Sequence, residues 1–226
     1  MNKSESYRKQ CHNQQTELRR IIASSDLHDE AMQLFFRQHA MLHAMEIVGT
    51  EPWSFEDEVL GGMTDAEIRQ IPPKEEHSVA WILWHIARCE DITMNLLVAG
   101  GPQVLNQEDW LRRTNAPIRH TGNAMDQKDV DEFSDAVDVQ ALRGYRKAVG
   151  RRTRQIVKEL GPEDLKRKVE LSRIQNIWKE DAVLPAAVDI VDYWSKRDVA
   201  GLLLMPATRH NLTHLNEALD IKKRSQ

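Results

Sequence analysis

Residues 78–99 read SVAWILWHIARCEDITMNLLVA. Apolar residues surround much of the circumference that this stretch would have as a helix, so it reads as a helix buried on most sides rather than an amphipathic surface helix. Gly100-Gly101-Pro102 ends it. Outward from this anchor the chain reads helical nearly throughout, because apolar residues recur mostly at spacings of three and four and alternating β-branched runs are scarce. Upstream, Asp29 to about Val48 carries Met32, Phe35, Phe36, His39, Leu42, His43 and Glu46 on one face, with Gly49 as its terminator. Thr64-Asp65-Ala66-Glu67 announces a small helix by its capping-box pattern, and Pro72-Pro73 stops it. Downstream, a helix is expected from Val139 to Leu160 and another from Ser195, as N-cap, to Lys222. Pro206 within the latter either bends it or marks its true start. The connection 102–136 is too long for a bare loop, so it holds short helical turns or closes over something. KVELSRI, residues 168–174, reads as a short strand in an otherwise ambiguous stretch. Residues 5–22 form a polar, weakly amphipathic segment, either a loosely attached helix or a tail. Four long helices with long connections predict an all-α chain organised as a four-helix bundle.

Composition narrows the function classes. The 226 residues suit one domain with a short appendage. With 31 Lys plus Arg against 35 Asp plus Glu, the net charge is −4, which argues against a general nucleic-acid binder. No apolar run is long enough to span a membrane, and the polar start MNKSESYRKQ lacks the core of a signal peptide. The two cysteines, Cys11 and Cys89, exclude a disulfide scaffold and fit a reducing cytoplasm, which is the expected location.

The nine histidines carry the chemistry. On a wheel of about 100° per residue, Ser78, Trp81, Ile82, Cys89, Ile92 and Leu96 fall within about 60° of His85. His85 therefore sits in the middle of a buried face. On the last helix, Val199, Leu203, Ala207, His214, Glu217 and Ile221 share the face of His210. Imidazoles four residues apart on a helix have Cβ atoms about 5–6 Å apart, so His210 and His214 can meet one ion, and a third ring from a facing helix leaves a coordination position open. Alone, each histidine is more simply a hydrogen-bonded core residue. Three buried rings, however, need three sets of partners, and a shared ion satisfies several at once.

Other residues form a second tier. His39, His43 and Glu46 repeat the spacing of His210, His214 and Glu217 and face their own apolar stripe. They read as a second ligand pair, part of a dinuclear centre, substrate-facing groups, or a polar patch at one end of the core. Glu217 either orients an imidazole or caps and solvates the helix. Arg146 and Arg152 flank the apolar face of the third helix and are the expected clamp for a substrate or cofactor carboxylate. Cys89 is one turn from His85 but reads as a small core hydrophobe. Glu90 and Asp91 lie well off the His85 face and read as solvent or inter-helix groups.

Trp84-His85-Ile86-Ala87-Arg88, followed far downstream by the His-x3-His pair of His210 and His214, resembles the DinB/YfiT-like superfamily over roughly residues 30–222. The resemblance implies residues 29–226 as a DinB-like bundle, up-up-down-down with a long crossover, preceded by residues 1–28 as a helical extension. It also implies a divalent transition metal, zinc or nickel, on His85, His210 and His214. Characterised members include transferases and isomerases that use a low-molecular-weight thiol. An ion on three neutral imidazoles activates either a thiol or water. The expectation is thus a metal-dependent transferase or hydrolase acting on a small molecule, with a homodimer as a plausible assembly. Two alternatives stand beside it. One is a non-catalytic binding or stress-related bundle whose histidines are structural, and the other is a two-metal site that adds His39, His43 and Glu46.

Overall fold

The computed structural model describes residues 3–49 and 53–225. Its helices, in chain order, are α1 (Lys3–Ile21), α2 (His28–Leu42), α3 (Phe55–Leu60), α4 (Asp65–Arg69), α5 (Val79–Asp91) and α6 (Trp110–Arg113). Then follow α7 (Gln127–Ala136), α8 (Val139–Lys158), α9 (Leu171–Lys179), α10 (Val188–Ser195), α11 (Val199–Leu204) and α12 (His210–Ser225). The fold is all-α, and among the described residues the sole β-type pairing is an isolated bridge between Lys168 and Asp198.

Local signals explain most helix starts. Ser78 caps α5 by accepting from the Trp81 amide, and Thr64 and Glu67 form the expected capping box on α4. The α5 helix continues without a break into a π-helical segment, Ile92–Ala99, which ends at Gly100 in the left-handed conformation. The expected strand at 168–174 does not form. Leu171 opens α9, whose amphipathic face buries Ile177, so helical periodicity wins over the short β-branched run. Nor does the last helix start at Ser195, which closes α10. Asp198 is the cap instead, accepting from the Gly201 amide. The α1 segment buries Cys11, Gln15, Leu18 and Ile21, and Gln38 of α2 donates to both Cys11 Sγ and Gln15 Oε1.

The core consists of two apolar clusters. One gathers Leu42, Trp84, Phe133, Tyr145, Val149 and Leu215, and the other gathers Phe35, Cys89, Leu97, Ile156, Trp194 and Leu203. On α2, α5, α8 and the α11–α12 segment, the changeover between clusters falls at a buried polar tier that includes Gln38, His39, Arg88, Glu90, Thr153 and Asn211.

Contacts across this core fix the helix directions. Ser78 meets Ser134 just ahead of α8, Arg88 meets Tyr145, and Asn95 meets Arg152, so α5 and α8 run parallel. Phe36 and Leu42 meet Arg154 and Arg146, so α2 opposes α8. His77 and Glu90 meet Glu217 and Asn211, so α12 opposes α5. The order is therefore up-down-down-up, which corrects the up-up-down-down expectation. Only the α5–α8 step joins parallel neighbours, and the long 102–136 connection supplies that single crossover, whereas an up-up-down-down order needs two.

Candidate metal centre

The long crossover closes over α5. Three successive carbonyls accept from three α5 side chains: Arg119 O from Arg88 Nε at 2.9 Å, His120 O from Trp84 Nε1 at 2.9 Å, and Thr121 O from His85 Nδ1 at 2.8 Å. A carbonyl can only accept, so the proton of neutral His85 is fixed on Nδ1 and its Nε2 presents a lone pair. Burial, reinforced by the neighbouring His214, pushes the His85 pKa down to about 3, so the ring is neutral at ordinary pH.

On the facing side, the chain between α11 and α12 takes a π-helical turn, Met205–Arg209. Pro206 contributes no amide proton there, and Thr208 Oγ1 satisfies the carbonyls of Leu203 and Leu204 at 3.0 Å each. The turn delivers His210 as the first residue of α12, with its Nε2 at 3.1 Å from His85 Nε2. His214 stands one helical turn further on. The ring centroids of His85, His210 and His214 lie 4.9, 4.9 and 4.6 Å apart pairwise. His214 Nδ1 donates to Glu217 Oε2 at 2.7 Å, which leaves its Nε2 as the second fixed lone pair. That hydrogen bond, with His77 Nδ1 at 3.6 Å from the other carboxylate oxygen, holds the Glu217 carboxyl down at about 2. His77 stacks on Trp81, which stacks in turn on His85, so an aromatic column braces the cluster. The third ring, His210, keeps a buried Nδ1 without a partner.

Among the described residues, His85, Cys89 and His210 form the group here whose ligand atoms all lie within 4.8 Å of one another, and His214 joins the ring cluster but not that group. His85 and His210 suit a divalent ion. Two ring nitrogens 3.1 Å apart match two bonds of about 2.0–2.1 Å at an angle near 100°. The lone pairs of His85 and His214 are held ready by acceptors on their far nitrogens. Cys89 Sγ lies 4.0 Å from both nitrogens of His85 and joins His85 and His210 as a possible ligand, although burial pushes its thiol far above the ordinary range.

A second group sits in the polar tier. Glu90 Oε1 accepts from His39 Nε2 at 2.9 Å, and its Oε2 accepts from His43 Nε2 at 3.0 Å and Asn211 Nδ2 at 2.8 Å. The three ligand atoms of His39, His43 and Glu90 lie within 4.8 Å of one another, so this fully buried group is also able to bind a metal. Burial lowers both imidazoles, His43 to about 3. Although burial opposes it, the two rings hold the Glu90 carboxyl well below its ordinary value.

Not every expected residue arrives. Glu46 is exposed and pairs with Lys147 and Arg151. The reason is that α2 stops at Leu42 and His43 takes an extended backbone, φ −116° and ψ 165°, which breaks the shared face that the spacing assumed. Glu90 occupies the role given to Glu46. Its wheel position suggested solvent or an inter-helix role, and the second holds, since a helix apolar all round has no solvent face. Arg146 is claimed by the core. It is buried, with Nε donating to Glu56 at 2.6 Å and Nη2 to the Leu42 carbonyl at 2.9 Å. Arg152 donates to Asn95 and Gln155 and lines a hollow of about 460 Å³ that contains none of the histidines.

The model of the DinB superfamily matches residues 57–218. The chain belongs to the DinB superfamily. The matched DinB segment holds α5 and the α12 histidines, while His39 and His43 fall ahead of it. A solved structure of a conserved protein from Enterococcus faecalis is similar over 85% of this chain and 93% of its own, at 16% identity and a TM-score of 0.56, and so shares the DinB-like fold. No curated protein sequence matches the chain. Among the described residues, no helix is long and apolar enough to cross a membrane.

Proposed function

We propose that the chain is a metal-dependent enzyme whose divalent transition metal, zinc or nickel, is held by His85, His210 and His214. The observation that carries this reading is the 3.1 Å approach of His85 Nε2 to His210 Nε2, with the His85 proton held on the opposite nitrogen by Thr121. When bound, such an ion supplies Lewis-acid activation of a low-molecular-weight thiol or of water, for transfer or hydrolysis. The protein's part is to keep His85 and His210 neutral by burial, to hold the far nitrogens of His85 and His214 through Thr121 and Glu217, and to screen the centre from bulk water with the crossover. Glu217, hydrogen-bonded to His214 Nδ1, is the group placed to fix the orientation of that ring. The His39–Glu90–His43 group acts here as a hydrogen-bonded brace, because both of its Nε2 protons already have carboxylate acceptors.

Zinc titration of the protein, purified without a polyhistidine tag, tests the proposal. One tight equivalent per chain is expected, lost in His210→Ala/His214→Ala. Retention of the full equivalent in that variant assigns the metal elsewhere, and absence of any tight zinc or nickel leaves the histidines structural. Two equivalents favour the two-metal reading with His39, His43 and Glu90.

A further inference from the structure

A cleft of about 830 Å³ lies between α1 and the α10–α12 segment. Its size is that of a small-molecule site, about 300–1,000 Å³. Its charge is unusual for a chain of net charge −4. Arg19, Arg197 and Arg209 line it together with His12, and no acidic residue does. Among the described residues none of these three guanidinium groups has an ion-pair or hydrogen-bond partner, and Arg197 instead lies over the Tyr193 ring at 4.1 Å. Three arginines converging on one concave surface without a carboxylate repel one another, and an anionic ligand relieves that repulsion with charge-assisted, bidentate hydrogen bonds. The planar fork of arginine suits carboxylates in particular.

A second, smaller hollow adjoins the cleft. Tyr193 and Met205 line both the cleft and this hollow of about 70 Å³, which is walled by Trp194 and Pro206 and reaches Cys89 and His210. The π-helical turn creates this junction, since it places Met205 at the neck, Arg209 in the cleft and His210 at the inner end.

We propose that the cleft binds a small organic anion bearing two or more carboxylates, gripped by Arg19, Arg197 and Arg209, whose slim reactive end passes between Tyr193 and Met205 toward His210. The α1 helix is then a wall of the binding site. The grip stands by itself, while the approach to His210 rests on the metal-enzyme reading above.

Isothermal titration with glutathione and with citrate tests the grip. Its controls are glutathione diethyl ester, which lacks the carboxylates, and inorganic phosphate. Binding of glutathione or citrate is expected, weakened at least tenfold in Arg19→Ala/Arg197→Ala/Arg209→Ala and absent for the diester. All three arginines are exposed, so the variant should fold with unchanged circular dichroism. No binding of either carboxylate, equal binding by the variant, or phosphate binding as tightly as both carboxylates overturns the proposal. Chelator-treated, metal-free parent should still bind citrate, and the arginine variant should hold its zinc. Glutathione binding without any metal site sinks the enzyme reading alone, and zinc on the three histidines without carboxylate binding sinks the cleft alone. In cobalt-loaded protein, glutathione should shift the visible absorption of the metal in the parent and not in the arginine variant. Arginine-dependent binding with no shift refutes the approach to His210.

Discussion

Replacing Glu90 by leucine tests the polar tier that divides the core. The carboxylate accepts from His39, His43 and Asn211 at 2.8–3.0 Å, and all four residues are at most 1% exposed. Glu90→Leu leaves the His39 and His43 donors without acceptors, while Asn211 Nδ2 keeps the Ala207 carbonyl, so the loss is about 1–3 kcal/mol for each ring, or about 2–6 kcal/mol in total. It also removes the cost of burying a carboxylate, so a loss near the lower end, about 3 kcal/mol, is expected. Against a typical domain stability of about 5–15 kcal/mol, that is a large fraction. Glu90→Gln keeps one acceptor but aims an amide donor at a ring N–H. One imidazole must then move its proton to Nδ1. For His43 that atom faces Gly150, where an added Cβ would already lie at 2.7 Å, and it has no partner. A loss of about 1–2 kcal/mol follows. Urea unfolding in the presence of a chelator measures both variants without interference from metal. Adding His43→Ala to Glu90→Leu should cost less than the same change in the parent, because the lost acceptor is already gone. Glu90→Leu within about 0.5 kcal/mol of the parent would refute the reasoning, since that is the range of an unremarkable surface change.

Further outcomes follow from the same geometry. Glu217→Gln should weaken zinc binding by about 10–100-fold, read by competition with a chromophoric chelator, with little change in the urea midpoint. Metal-free protein should lose stability as pH falls below about 6.5. His85 and His43 are held at about 3 when folded, so the unfolded chain binds more protons in the window between. Each ring then contributes a slope of about 1.4 kcal/mol per pH unit, checked by urea midpoints at pH 7.5 and 5.5, and a flat profile would contradict it. Arg146→Ala should cost about 3–5 kcal/mol by stranding buried Glu56, whereas Arg146→Met with Glu56→Leu should recover most of that loss.

Much of the fold was legible because its strongest signals are local. The all-round apolar stretch at 78–99, the Thr64 capping box and the glycine at 100 each act within one or two turns, and each appears where the pattern put it. The clustering of the rings of His85, His210 and His214 was legible because i, i+4 spacing survives wherever the helix does, whereas their role as ligands is a proposal. What escaped depended on distant partners. His43 leaves the helix to reach Glu90, 47 positions away, and Arg146 is claimed by Glu56 at a separation of 90. No periodicity encodes such a pairing. Helix direction was hidden for the same reason, since it depends on which neighbours the crossover joins. The arginine-lined cleft was invisible because its walls come from α1 and α10–α12, at opposite ends of the chain.

The most direct test is an anomalous-diffraction map of a crystal grown with zinc. A single strong peak about 2.0–2.2 Å from a ring nitrogen of each of His85, His210 and His214 is the predicted result. A peak bound by His39, His43 and Glu90 alone, or no peak at any protein ligand, would contradict it.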